Sequence, residues 1–531
     1  MPRPDRADAT PADAPRADAP RADPLRADPL RADAARADRY ASAPLLNCLL
    51  REIAQPHPTA EPDPTAPSAP GSGDRTVFRL PGTGLLLRVR GLRRPAEPEV
   101  DAGGRWHRLD HAELVKLVAE ELRAHTGLSS HELPAEMADS RDTVAALLAA
   151  RDRTTVPDDP YRRSEQCLIT GHPYHPAPKA RGGGPAAGWL PFAPEAYAAF
   201  PLVLLGARED TVVEEGDTSA LDALGEAPPG YRLLPAHPWQ LDLVGPELVD
   251  AFADGRLIAI GTAAPDAWPT AAIRTVYAPE ADLFLKFSLD VRITNDIRRL
   301  WRHDLLKLRR IDAAVTDAFA ALPGAARWLN DRGYRTVDFA FEELAVLVRD
   351  GLRPGLVPGA TPLLAAGLVE GFPGSPLESA DPGAWWEAYL AQVVPPALTA
   401  FAEHGVVLEA HLQNTLVAVD AGGLPVQALF RDAEGVKLVG EVERAAGWER
   451  LVYCLVVNNL VEVAGALAER HRGFDPWPAL RRLLAGHPLP EAAGLLTAPT
   501  LPGKTNLLLR WTGADGADAR YLPLPNPLAG T

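Results

Sequence analysis

The stretch from Ala271 to Leu300, AAIRTVYAPEADLFLKFSLDVRITNDIRRL, carries Arg274, Lys286 and Arg298 within about one hairpin of chain. Between Thr270 and Arg310, nine Lys or Arg stand against five Asp or Glu. That local excess sits in a chain whose formal net charge is -16. Arginine suits planar, bidentate anion recognition, and lysine a single phosphate oxygen. If Arg274, Lys286 and Arg298 converge across a hairpin they make a polyanion site. If they line one solvated strand face they make surface ion pairs of little energetic weight. A second cluster, GHPYHPAPKARGGG, holds His172, His175, Lys179 and Arg181 before three glycines. Prolines stiffen this loop and glycines permit close backbone approach, so it is a candidate phosphate loop. It lacks the GxxxxGK[ST] order of a Walker A loop. Its two histidines have no third metal ligand beside them. In a third cluster, LEAHLQNTLVAV, an extended chain would put Glu409, His411 and Gln413 on one face. Asp432 follows seventeen residues after Thr415. A polar triplet, a hairpin and an Asp form a layout met in ATP–Mg2+ sites, where the carboxylate holds the cation that bridges phosphates. Taken singly, His411 reads as a satisfied core histidine and Asp432 as the start of the turn DAEG.

These residues need elements to position them. From Leu283 to Thr294 the chain alternates: Leu285, Phe287, Leu289, Val291 and Ile293 on one face, Lys286, Ser288, Asp290, Arg292 and Thr294 on the other. That pattern predicts one strand with a core face and a charged face. Arg274 and Thr275 belong to a preceding strand. Asn295 is a candidate N-cap for a following helix with Arg298 in its first turn, where a cation opposes the helix dipole and an anionic ligand would relieve it. Elsewhere, TVFRL and GLLLRVRGL read as strands about the turn PGTG. Apolar periodicity predicts helices over His111–Thr126, continued by Thr143–Arg151, and over Trp385–Glu403 and Ala445–Arg470. Helices and strands mix without strict βαβ alternation, so the fold class is α+β.

The chain has 531 residues, 46% hydrophobic and 23% charged, enough for two to four domains with sizeable cores. Its acidity argues against nucleic acid and anionic membrane as partners. Three cysteines make no disulfide framework or zinc spacing. No run of 18 apolar residues and no apolar leader segment appear, so the expectation is a cytoplasmic protein. Residues 1–39 repeat RAD six times, with eight Arg balancing eight Asp. Such a segment buries too little to offset chain entropy, so a disordered tail is expected, with order beginning near Tyr40.

The clusters, in order, resemble the NRPS-independent siderophore synthetases, the aerobactin-synthetase-like family. The resemblance runs from NCLLRE (47–52) to NPL (526–528) through GHPYHPAPKAR, PAHPWQ, PTAAIRT, LKFSLDVRITNDIR, EAHLQN, FRDAEGVKL and KTNLLLR. It implies that a carboxylate of citrate or a citrate derivative is adenylated by ATP with Mg2+, and that an amine or hydroxyl then attacks, with AMP and pyrophosphate released. It also implies a cupped hand, usually a homodimer, with a thumb-like part over 40–160, a fingers-like part over 161–384 and a palm-like part over 385–531. By the same resemblance, His172, Arg274, Thr275, Lys286, Arg298, Gln413 and Asp432 are ATP contacts, with Asp432 on Mg2+. Thr294, Arg298, Glu409 and His411 contact the carboxylate substrate. His411, Arg298 and Lys286 are the catalytic candidates, His411 as a general base. HPWQ is structural. One departure stands out: the family's S-x-R-T signature has Ala272 in place of its serine. Two rivals remain, a small-molecule kinase of aminoglycoside-kinase type and a non-catalytic paralogue.

Overall fold

The structure, a computed structural model, describes residues 29–57, 75–514 and 521–529. Residues 1–28 of the expected tail lie outside these. Residues 29–39 do not, and they are helical: the first helix spans Pro29–Glu52. It starts before Tyr40 because the segment finds partners. Ala37 is fully buried, Arg141 donates to Asp38 at 2.8 Å and Arg36 to Asp152 at 3.1 Å.

An antiparallel five-stranded meander follows, with Arg75–Arg79 and Leu86–Arg90 paired about PGTG as expected. The helix His111–Thr126 has the expected bounds because both ends are encoded. Asp110 and Glu113 form a reciprocal capping box, and Gly127 closes the helix at φ 72°. Thr143–Arg151 is the end of a separate helix, Glu132–Arg151.

Three large apolar cores organise the chain. The first joins the N-terminal helices and meander, and Leu507 and Trp511 of the helix Asn506–Thr512 complete it. The second lies between a three-stranded sheet and a six-stranded antiparallel sheet. That larger sheet runs in the order Trp268–Pro269, Thr275–Ala278, Leu283–Phe287, Val346–Asp350, Asp331–Val337, Val212–Gly216. The third holds Trp385, Trp386 and Tyr389 of the helix Pro382–His404, and also Leu305 and Val315 of the helix Arg302–Ala321. Packing therefore does not divide at 384/385. Among the described strands, the pair Arg327–Leu329 with Pro425–Arg431 is parallel and every other pairing is antiparallel, as α+β requires. One helical segment, Arg444–Arg470, is long and apolar enough to cross a membrane by length and composition, with mean hydropathy 1.8, but 83% of that window is buried in the fold. It runs through the third core.

The alternating run 283–294 is not one strand. Leu283–Phe287 belongs to the six-stranded sheet, and Leu289–Ile293 forms a hairpin with Asp296–Arg298. Between them Ser288 is buried, its Oγ accepting the Leu300 N–H at 2.8 Å. The alternation survives because the halves feed two different apolar clusters: Leu285 and Phe287 one, Leu289 and Val291 the other. Nor does a helix start at Asn295. Ile293 pairs with Asp296, so Thr294 and Asn295 are a two-residue turn and Arg298 ends the return strand. Asparagine suits such a turn as well as an N-cap, and here the strand pairing wins.

Candidate active site

The pairing of Thr275 with Lys286 brings the two basic strands together. Lys286 Nζ donates to Asp432 Oδ1 at 2.7 Å and to Glu434 Oε2 at 2.6 Å. Arg274 Nη2 reaches the same Glu434 oxygen at 3.0 Å, and Arg349 Nη2 reaches Asp432 at 3.2 Å. Arg274 Nη1 holds the carbonyls of Arg298 and Arg299 at 3.1 and 2.8 Å. Arg298 Nη2 in turn bonds Ile293 O at 2.7 Å and Thr294 Oγ1 at 2.6 Å. Arg274 and Lys286 are 5% and 2% exposed, which rules out the solvated strand face. The Thr275 side chain is buried in the sheet, and its carbonyl accepts from Thr270.

Charge is balanced tightly here. Burial alone would raise the Asp432 carboxyl, but Lys286 and Arg349 hold it well below the carboxylate range. Burial opposes ionisation of Glu434 too, and Lys286 and Arg274 bring it down to about 2. Burial and then Arg274 weaken the proton affinity of the Arg298 guanidinium. Among the described residues, no three His, Cys, Asp or Glu side chains form a metal cage. Asp432 and Glu434 nonetheless offer two hard oxygen donors side by side. That set fits Mg2+, which keeps waters and takes its other ligands from substrate phosphates.

Glu434 borders a neighbouring cavity on the other side of Lys286, and Arg274, Lys286, Thr294, Arg298, Arg349 and Asp432 line a cleft of about 470 Å³. Three non-glycine residues on its wall have positive φ: Ile273 (62°), Thr294 (61°) and Asp432 (82°). Such a conformation is costly for β-branched Ile and Thr, and strain of this kind collects at functional sites. The wall is held from behind. Glu165 accepts the Ala271 N–H at 3.0 Å and pairs with Arg431 at 2.7 Å, and Gln240 of HPWQ accepts the Asp290 N–H at 2.8 Å.

The EAHLQN segment is a turn, not an extended strand. The His411 N–H donates to Glu409 O at 2.9 Å and the Asn414 N–H to His411 O at 3.0 Å. A π-helical stretch, Val452–Leu460, within the long C-terminal helix supports the turn. Asn459 Nδ2 bonds Ala410 O at 3.0 Å and Thr415 Oγ1 at 3.2 Å, and Asn458 O accepts the Leu412 N–H at 3.1 Å. Glu409 pairs with Arg450 at 2.8 Å. Gln413 borders the cleft and its carbonyl accepts from Arg431 at 2.9 Å. Burial, opposed by Glu409, lowers the His411 imidazole, so the ring is neutral. The Gln413 N–H donates to its Nδ1 at 3.2 Å, which leaves the proton on Nε2.

The GHPYHPAPKARGGG loop borders the cleft through His172, Lys179 and Arg181, with both cations already paired. Lys179 and Arg181 are buried on the carboxylate of Glu195, Arg181 at 3.3 Å. His175 is buried against Asn295 at 3.1 Å. His172 alone among the four opens to the cleft unpaired with an acid. The surrounding protein and then nearby His411 lower it to about 3.

Four residues at or behind the cleft had not been singled out. Glu434 follows Asp432 by two positions. Arg349 interrupts the apolar strand Val346–Asp350, which was a signal. Lys504 sits in the quoted KTNLLLR, lines the cleft and lies 5.2 Å from the Tyr453 ring, with no acidic ion-pair partner among the described residues. Asn459 left no sequence signal, because it looks like any polar residue within a long helix.

Comparison with known proteins agrees with this geometry. Residues 160–370 match the model of the IucA / IucC family, and residues 383–519 that of the ferric iron reductase FhuF-like transporters. The chain is 28% identical over 439 residues to L-2,3-diaminopropanoate--citrate ligase of Staphylococcus aureus, covering 70% of this chain and 75% of that one. It is 30% identical over 442 residues to the rhizobactin siderophore biosynthesis protein RhbC of Rhizobium meliloti, covering 69% and 75%. In fold it superposes on ATP-bound aerobactin synthetase IucA of Klebsiella pneumoniae with TM-score 0.74, at 23% identity, over 93% of this chain and 100% of that one. With RhbC matched at this identity over three quarters of its length, the chain belongs to the IucA/IucC family of siderophore synthetases.

Proposed function

We propose that the chain activates a carboxylate of citrate, or of a citrate derivative, with ATP and joins it to an amine or hydroxyl, releasing AMP and pyrophosphate. The observation that carries this reading is the convergence of Arg274, Lys286 and Arg298 around Asp432 and Glu434 in the cleft wall. Adenylation brings a polyanionic nucleotide against a polycarboxylate, and clustered fixed cations offset that repulsion. The relatives named as citrate ligases support the acid, and the ATP-bound relative supports the nucleotide.

In this reading the triphosphate replaces Glu434 on Arg274 and Lys286. Asp432 and Glu434 are then the residues that would hold Mg2+, whose charge offsets that of the phosphates. Arg298 and Thr294 hold the acid on one side, and the unpaired Lys504 on the other. A carboxylate oxygen attacks the α-phosphorus, the bond to the β-phosphate breaks, and pyrophosphate leaves. Arg274, Lys286 and Arg298 stabilise the charge that builds at phosphorus. A neutral amine or hydroxyl then attacks the acyl carbon and AMP leaves. The expected general-base role of His411 does not fit its tautomer, since Nδ1 is occupied and Nε2 bears the proton. His411 acts instead as a hydrogen-bond donor to substrate oxygen, and the nucleophile's proton passes to the departing phosphate or to water. The three cores correspond to thumb, fingers and palm, and the working unit is a homodimer, read by light scattering. The reductase-like model over 383–519 does not alter this reading: that segment has one cysteine, Cys454, buried, too few for an iron–sulfur centre.

The test is to incubate the protein with ATP, Mg2+, hydroxylamine and a panel of acids headed by citrate, and to assay pyrophosphate and ADP. Acid-dependent pyrophosphate with a hydroxamate product is the expected result. ADP without pyrophosphate would overturn the reading in favour of a kinase or an acyl-phosphate ligase.

A further inference from the structure

His175 is buried behind the cleft and does not line it, yet its hydrogen bonds form a directed chain. Its Nδ1 accepts the Ala177 N–H at 3.1 Å, so the neutral ring carries its proton on Nε2. Nε2 therefore donates to Asn295 Oδ1 at 3.1 Å. Asn295 Nδ2 donates to Asn506 Oδ1 at 3.3 Å, and Asn506 Nδ2 donates to Tyr174 O at 2.7 Å, one residue from His175. Each link pairs a donor with an acceptor, and neither amide can flip without facing like against like. His175 and Asn506 are 2% and 3% exposed, so a broken link cannot be replaced cheaply by solvent. Burial lowers His175 to about 3, which keeps the ring in the neutral form that the chain requires.

The chain joins three segments distant in sequence at one point. Asn295 is the second residue of the hairpin turn, next to Thr294 at φ 61°. A two-residue turn with positive φ at its first position favours glycine there, so threonine makes this turn strained. Arg298 bonds Thr294 Oγ1 from the return strand. Asn506 opens the helix Asn506–Thr512, two residues after Lys504. The hairpin turn and Lys504 line the same cleft.

We infer that His175, Asn295 and Asn506 form a positioning relay that clamps the strained turn bearing Thr294 and Arg298 at a fixed distance from Lys504, and so sets the affinity for the carboxylic acid. This rests on the assignment of Thr294, Arg298 and Lys504 to the acid. His175 and Asn506 are buried and do not line the cleft, while Asn295 borders it within the turn itself. They act through the turn.

Two substitutions at one position separate the relay from simple packing. His175→Asn keeps an acceptor near the place of Nδ1, hence the bond to Ala177, and loses the donor to Asn295. His175→Gln places an amide N–H near the position of Nε2 and keeps the donor. In the full chain, with citrate and ATP varied separately in the hydroxamate assay, H175N raises the KM for citrate about tenfold, as expected for an unsatisfied part-buried amide. The KM for ATP moves less than about twofold, and H175Q stays within about twofold of the parent for both. Hydrogen exchange read by mass spectrometry speeds up over residues 289–298 in H175N and not in H175Q. Equal behaviour of H175N and H175Q, a loss falling on ATP, or unchanged exchange over 289–298 in H175N would each overturn the relay. If the parent protein makes no acid-dependent pyrophosphate, the proposed function fails instead, and exchange over 289–298 still decides the relay.

Discussion

Ala272 borders the cleft two residues before Arg274, at the place where the family resemblance implies a serine. Its backbone N–H faces Thr270 Oγ1 at 3.4 Å, and its side chain offers no polar group. Ala272→Ser is expected to lower the KM for ATP by about 2- to 10-fold, the worth of one neutral hydrogen bond, measured by pyrophosphate release at saturating acid. At His411 the tautomer makes a sharper demand. His411→Gln retains an N–H near Nε2 and is expected to keep at least about a tenth of kcat, whereas His411→Ala loses about 100-fold, as for removal of one transition-state donor. Equal losses in single-turnover measurements would return His411 to the role of a base. Local charge excess singled out Arg274, Lys286 and Arg298 but left a solvated face open, and the resemblance supplied their roles and that of Asp432. Neither pointed to Glu434 as their partner, because DAEG also spells an ordinary turn.

The hairpin Leu289–Arg298 shows what a period of two does and does not say. It gave the apolar side of Leu285, Phe287, Leu289 and Val291, but not the break at Ser288 or the burial of Phe284, Lys286 and Ser288 on the opposite side. The turn at Thr294–Asn295 was read as a helix start for a related reason: asparagine serves either, and pairing of Ile293 with Asp296 decides it. Threonine at φ 61° costs stability that glycine would not. Thr294→Gly is expected to leave thermal stability unchanged or raise it by up to about 1 kcal/mol, while weakening the acid because Arg298 loses its Oγ1 partner. Calorimetry and the citrate KM read the two effects separately. A drop in stability would mean that the hydroxyl matters more than the strain.

For the whole molecule, composition and periodicity reached the fold class and the long helices, whose caps and apolar faces are local. They gave no sign that helix Arg302–Ala321 packs with the C-terminal helices across a long interval of chain. Buried neutral histidines also tie global stability to pH. His237 is 1% exposed, ringed by Phe192, Phe200 and Phe287, and burial lowers it to about 3, while its Nδ1 caps the next helix at Trp239 N. The folded pKa lies below the unfolded value of about 6.5, so the unfolded state gains a proton first and stability falls as pH drops from about 6.5 towards 3. His237→Asn keeps a capping oxygen and removes that proton. Its stability deficit at pH 7 is expected to shrink by about 2 kcal/mol at pH 5 in urea titrations. A constant deficit would refute the neutral buried imidazole. The helix Asn506–Thr512 has a consequence of another kind. Its first amides bond the Glu52 carboxylate at 2.9 Å, and Leu507 and Trp511 fill the N-terminal core. During synthesis on the ribosome, that core must therefore stay open while more than four hundred residues are still being made. A segment made early is thus among the last to be sealed, and its apolar face stays exposed to aggregation in the interval.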